Sequence, residues 1–405
     1  MITTQPKPIE TTAPVVSEAR PLDLPAVIVM AMGHLVHDAF TSFLSPLLPL
    51  IIQKLSLSLT LAGSLAAMQS FPSLINPLLG MVGDRVSLRW LAIIAPTTTA
   101  IAMSMIGVAP TYTTLAILLL VAGISSASWH VPSPVMVARS AGNRVGFGMS
   151  ILMLGGELAR TIGPLIAVAA VSLWGLEGMW RLIPLGVIAS FILYWRTRHV
   201  EARHTSRPAD SSWKETWVEL RRVVLPIAGI IGTRTFISVS LATYLPTLLT
   251  REGSTLLQAG SAFSLLMLAG ALGSFATGTL SDRIGRKRVL VTVLTLGPLL
   301  MGVFLSVQGW LQLPVLFVMG LMALSTSPVL MAMVQESASN HPATANGVYM
   351  ALEFVGGSII TVIVGALADR FGLREAFAIG AVIAICGVPF VFLLPQKRKP
   401  LLEQV

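Results

Sequence analysis

The residues able to do chemistry in this chain are the ionisable side chains that stand inside long apolar runs: His34, Asp38, His130, Glu157, Arg160, Arg234 and Glu353. A charge at the centre of a bilayer costs about 2.5–3.5 kcal/mol on insertion scales, so each such residue implies either a partner or a task. Gly33-His34-Leu-Val-His37-Asp38-Ala-Phe-Thr41-Ser42 places His34, Asp38, Ser42 and Ser45 on one stripe at helical spacing. A desolvated carboxylate with an imidazole four residues away can pass between charged and neutral forms, which is the chemistry of proton coupling. The competing reading is a structural His–Asp hydrogen bond between helices, and His37, taken as off the stripe, is read that way.

Ser125-Ser126-Ala-Ser128-Trp129-His130-Val-Pro132-Ser133-Pro134 is rich in small residues and broken by proline. Carbonyls freed by proline must be satisfied inside a bundle, so the segment is expected to line a cavity, with His130 a ligand, a proton carrier or a satisfied core histidine. Glu157 and Arg160, three residues apart on one helix face, serve a substrate or neutralise each other. Arg234 suits either an anionic group on a substrate or a standing partner for a carboxylate, and Glu353 is a candidate second proton site. Gln69, Ser73 and Asn76 form a polar stripe read as interhelical hydrogen bonding.

These residues must be positioned by membrane-spanning helices. The chain has 405 residues, 54% hydrophobic and only 11% charged, against about 25% charged in a soluble domain. Twelve apolar runs reach the roughly 20 residues needed to cross a bilayer. The motif Gly80-Met-Val-Gly-Asp84-Arg85 recurs as Gly278-Thr-Leu-Ser-Asp282-Arg283, about half a chain later, so the chain reads as two similar halves. The expected organisation is a polar disordered tail over 1–22, a six-helix bundle over 23–196, a linker over 197–222, a second six-helix bundle over 223–395 and a tail over 396–405. With both termini cytoplasmic, twenty Lys and Arg residues fall inside and five outside, a clear positive-inside asymmetry.

The formal charge of +9 therefore reports orientation, and no nucleic-acid partner is expected. The single Cys386 permits no intrachain disulfide and no Cys-based metal site; no cofactor and no metal are expected. Hydrolase and phosphate-binding motifs are absent and the polar loops are short, which argues against an enzyme. Clustered mid-span charges and repeated loop motifs argue against a passive channel.

Twelve spans in two halves, with Gly-x-x-x-Asp-Arg turns after the second and eighth helices, resemble the major facilitator superfamily of transporters. The resemblance implies a gating role for Gly80, Asp84, Arg85, Gly278, Asp282 and Arg283. Gly163-Pro164 is similar to that superfamily's antiporter motif in helix five, without its trailing glycines. A third copy, Gly365-Ala-Leu-Ala-Asp369-Arg370, falls on the outer side and is read as a chance or structural echo, because the inner-gate role that the resemblance implies belongs to the loops after the second and eighth helices. His34, His37 and Asp38, with Trp129-His130, Gly155-Gly156, Gly163-Pro164 and Gln335-Glu336, are similar to the fosmidomycin-resistance family. This likeness implies a proton-driven exporter of a small compound, anionic if Arg160 and Arg234 bind it, acting as a monomer in the cytoplasmic membrane. An importer of a small organic anion or metabolite is the alternative.

Overall fold

The structure is a computed structural model that describes residues 21–83, 86–200, 202, 213–337 and 342–394. Residues 1–20 of the first expected tail, the whole of the second, and 201 and 203–212 of the linker lie outside these residues, as do Asp84 and Arg85. Twelve helical spans are long and apolar enough to cross a membrane: α1 (Leu24–Leu55), α2 (Leu59–Val82), α3 (Arg89–Val108), α4 (Tyr112–Ala141), α5 (Val145–Trp174), α6 (Leu176–Thr197), α7 (Val223–Arg251), α8 (Leu256–Ile284), α9 (Arg286–Ser306), α10 (Gly309–Val334), α11 (Gly347–Phe371) and α12 (Leu373–Leu393). Local sequence sets their ends. Side chains of Asp23, Ser58 and Thr111 accept from backbone N–H groups in the first turns of α1, α2 and α4, and Thr255 with Gln258 forms a capping box on α8. Between α8 and α9 the chain turns at Gly285, whose φ of +100° no other residue adopts cheaply.

The two halves repeat one packing scheme. In the first, α1 packs on α5, α2 on α4, and α3 on both α4 and α6; in the second, α7 packs on α11, α8 on α10, and α9 on both α10 and α12. The fold is thus two pseudo-symmetric six-helix bundles. Several spans are interrupted rather than continuous. The α1 span breaks between Thr41 and Leu44, where the Gln69 Nε2 amide donates to the Thr41 carbonyl at 2.8 Å. Gln69 thereby performs the interhelical role its polar stripe suggested. In α7 a π-turn occupies Ser240–Tyr244, at the same half-chain offset from the α1 break that separates Gly278 from Gly80. In α4 the helix is interrupted directly after His130, because Pro132 supplies no N–H.

Among the described residues the bundles pack on each other at one end. There α2 crosses α11 and α5 crosses α8. Glycine makes the first crossing possible: a Cβ at Gly63 would strike the Tyr244 hydroxyl and the Thr361 carbonyl, and one at Gly365 would strike Leu59 O and the same hydroxyl. The buried Tyr244 Oη donates toward Thr361 O at 2.9 Å and Leu59 O at 3.1 Å. Ser45 Oγ, just past the α1 break, donates to Ala242 O in the α7 π-turn at 2.6 Å.

The Asp369 carboxylate completes the seal. It accepts from Leu59 N (2.7 Å), Thr60 N (2.8 Å) and Thr60 Oγ1 (2.6 Å), capping the N-terminus of α2 from the other half. Of the two readings of the Gly365–Arg370 copy, chance or structural, the contacts of Asp369 favour the structural one. At the opposite end a Cβ at Gly80 would meet no atom within 4 Å, and one at Gly278 only Pro328 of its own half at 4.0 Å. A cleft between the halves opens there.

Candidate functional site

Half-way along α1, before its break, His34, His37 and Asp38 form one buried group. Their relative exposures are 5%, 0% and 9%. The spacing i, i+3, i+4 puts all three on one arc of the helix, so His37, read from sequence as off the stripe, belongs to it. Two glycines of α5 admit the arc. A Cβ at Gly155 would strike the Ala31 backbone, and one at Gly156 would strike the His34 ring. This close approach brings His34 Nδ1 to 2.8 Å from the Leu152 carbonyl. A carbonyl only accepts, so Nδ1 carries the proton and Nε2 faces Asp38, 3.3 Å from Oδ2.

His37 is oriented by a chain of donors. Ser125 Oγ donates to the Ala95 carbonyl (2.9 Å) and Thr99 Oγ1 donates to Ser125 Oγ (2.8 Å). The Thr99 oxygen is left to accept from His37 Nδ1 at 3.0 Å. His37 Nε2 therefore also points at the carboxylate, 3.8 Å from Oδ1. From α4, His130 Nε2 approaches Oδ1 at 3.5 Å, and 41% of that side chain is exposed. Trp129 is fully buried and stacks on His37 with ring centroids 5.6 Å apart, so it backs the cluster and does not face the cleft. His34 Nε2, His37 Nε2 and Asp38 Oδ1 are buried without a hydrogen-bond partner.

The other intramembrane charges are neutralised locally. Arg160 pairs with Glu157 on α5. Pro164 and Val168, which meet Gly260 of α8 where the halves touch, lie on the same helical face as Glu157 and Arg160. That pair therefore lines the cleft below the seal. Gly163 lies beneath Ala39 and Ser42 of α1, where a Cβ would collide with both. In the second half Arg234, 7% exposed, pairs with Glu353 and donates to Ser327 Oγ at 3.3 Å. Tyr349 Oη donates to the same carboxylate at 2.7 Å. Of the two roles open to Arg234, a standing carboxylate partner is the one seen, and Glu353 is occupied by that pairing.

At the open end Asp282 and Arg283 are exposed on the α8–α9 turn. Arg286 lies 3.4 Å from Asp282 and 2.7 Å from Glu336 at the end of α10. The structure thus gathers His34, Asp38 and His130 into one cluster and sorts the remaining candidates into two ion pairs. Tyr244 and Thr99 carried no sequence signal, since each acts through a partner far away in the chain; Tyr349 stands four residues before Glu353 on one helix face, a spacing that the sequence did offer.

The whole chain has relatives with the same organisation. It is 22% identical to the fosmidomycin resistance protein of Escherichia coli (strain K12), with 98% of each chain covered. It is 24% identical to the uncharacterized MFS-type transporter YfnC of Bacillus subtilis (strain 168), covering 93% of this chain and 94% of that one. Among solved structures, a bacterial homologue of the human lysosomal transporter Spinster, inward-facing and occupied, superposes with a TM-score of 0.79 at 14% identity over 93% of this chain and 97% of that chain. The family profile described as Major Facilitator Superfamily matches residues 30–361 and 253–404. With twelve spans in two repeated bundles and no departure from that fold, the chain is a membrane transporter, not an enzyme, and belongs to the Major Facilitator Superfamily.

Proposed function

We propose that this transporter is a proton-coupled exporter of a small, drug-like compound, working by alternating access as a monomer in the bacterial cytoplasmic membrane. The observation that carries the reading is the buried Asp38 carboxylate, which has three imidazole nitrogens within 4 Å and, among the described residues, no Lys or Arg partner. A cation taken up there lets the cleft close without stranding that negative charge. Proton exchange supplies that cation from the acidic side. A unit charge moving through 100 mV is worth about 2.3 kcal/mol, more than the roughly 1.4 kcal/mol of a tenfold substrate gradient.

The excess of Lys and Arg on the side of both termini supports a cytoplasmic placement of the open end. The joined end then faces outward. Export is supported by the name of the Escherichia coli relative, a fosmidomycin resistance protein. Because Arg160 and Arg234 are both paired with carboxylates, the cargo needs no anionic group to balance them.

The test is a drug-susceptibility panel, fosmidomycin included, in a pump-deficient bacterium expressing wild type or Asp38→Asn at matched membrane levels. Wild type is expected to raise the tolerated concentration of at least one compound, and Asp38→Asn to return it to the empty-vector value. Equal resistance from both proteins removes Asp38 from the coupling. No resistance with either, both being present in the membrane, favours import of a small organic anion or metabolite.

A further inference from the structure

We infer that His34, Asp38 and His130 form a binding site for a divalent transition-metal ion, of the class of Zn²⁺, Co²⁺ and Ni²⁺. This goes beyond the transport reading and does not depend on it. Three observations converge. First, one ligand atom from each residue lies within 4.8 Å of the others, with His34 Nε2 3.3 Å from Asp38 Oδ2 and His130 Nε2 3.5 Å from Oδ1. Ligands held about 2.0–2.1 Å from a tetrahedral ion are spaced by roughly 3.3–3.4 Å, so a small rotation of the carboxylate and an inward shift of the more exposed His130 bring the three to the dimensions of such a site.

Second, the nitrogen that faces the centre is the one able to ligate. The Leu152 carbonyl holds the proton of His34 on Nδ1, and the Thr99–Ser125–Ala95 chain does the same for His37. Outer-shell acceptors of this kind fix the tautomer at metal-ligating histidines. Neutral imidazoles so oriented direct lone pairs at a carboxylate, an arrangement that repels unless a cation sits among them. Third, His34 Nε2 and Asp38 Oδ1 are buried and lack a hydrogen-bond partner, although both belong to this cluster.

The donor set selects the ion. Imidazole nitrogens with a single carboxylate suit zinc, cobalt and nickel, whereas magnesium and calcium demand oxygen ligands. His130, with 41% of its side chain exposed, forms the open side of the site. An ion can enter there and a fourth position faces the cleft, while His37 Nε2, 3.8 Å from Asp38 Oδ1, flanks the closed side.

The experiment uses full-length protein purified in detergent, with any affinity tag removed and the three remaining histidines, His199, His204 and His341, replaced by alanine. Co²⁺ is titrated in and its visible d–d absorption recorded, followed by displacement with Zn²⁺. The expected result is one saturating Co²⁺ per chain with the intense bands of a four-coordinate site, lost on adding Zn²⁺. Loss of an outer-shell partner alone weakens metal sites by about 10- to 100-fold. Asp38→Asn and His130→Ala, which remove ligands, are therefore expected to weaken binding by at least about 100-fold while the protein remains monodisperse.

Absence of saturable Co²⁺ absorption in the parent protein overturns the inference. So does binding that persists unchanged in both variants. Because the readout is spectroscopic, it separates from the resistance panel. Metal binding without resistance to any compound leaves the site and removes the exporter reading, and resistance without metal binding does the reverse.

Discussion

Arg234→Met and Glu353→Leu are each expected to destabilise the protein by about 3–5 kcal/mol, and the double variant by far less. Arg234 is 7% exposed and its Nε already lacks a partner, so removing Glu353 leaves a guanidinium buried with only the Ser327 hydroxyl to solvate it. Removing Arg234 instead leaves the carboxylate with the Tyr349 hydroxyl as its remaining side-chain donor. Apolar replacements of both charges strand neither. The pair also ties α7 to α11, so each single variant is expected to loosen the second bundle. Thermal unfolding of the three purified variants, followed by loss of the monodisperse peak, checks this. A double variant as unstable as the worse single one would mean that shape, and not charge, holds Arg234 in place.

Gly63→Val is expected to prevent the joined end from closing, and Asp369→Asn to weaken it. A side chain at Gly63 occupies the space of the Tyr244 hydroxyl and the Thr361 carbonyl, and neither backbone can withdraw without separating α2 from α11. Loss of a helix cap typically costs about 0.5–2 kcal/mol, and about 1 kcal/mol is roughly a fivefold change in the ratio of two conformations. The readout is the rate at which a membrane-impermeant maleimide modifies Ser45→Cys from outside intact cells, in a background carrying Cys386→Ser. Ser45 lies at the contact with Ala242, so the rate reports opening there. A severalfold rise is expected for Asp369→Asn and a larger one for Gly63→Val. Unchanged rates in both would show that the seal does not rest on these contacts.

What the sequence revealed, and what it hid, follows from the range of each interaction. The twelve spans could be read directly, because the thickness of a bilayer imposes a minimum length on every apolar run. The Glu157–Arg160 pair was visible too, being three residues apart on one helix. Arg234 and Glu353 were each conspicuous, but their pairing joins positions 119 residues apart, and no spacing rule connects them. His37, read as a structural histidine, is fully buried against Thr99 and Trp129, contacts from other helices that its own place in the sequence does not announce. For Asp369 the sequence left chance and structure as equal readings of the repeated motif. The helix end it caps begins 310 residues earlier in the chain, and only the folded arrangement reveals that contact.

The breaks in α1 and α7 divide each of these helices into two rigid arms with a pivot between them. The pivots touch each other through Ser45 and Ala242. In mechanical terms the outer arms can swing about this shared fulcrum while the inner arms stay anchored, α1 by the His34–Leu152 bond and α7 by the Arg234–Glu353 pair. The pivot of α1 follows Asp38 by less than one helical turn, so a swing of the outer arm pulls directly on the segment that carries the histidine cluster, and loading of that cluster bears in turn on the joined end.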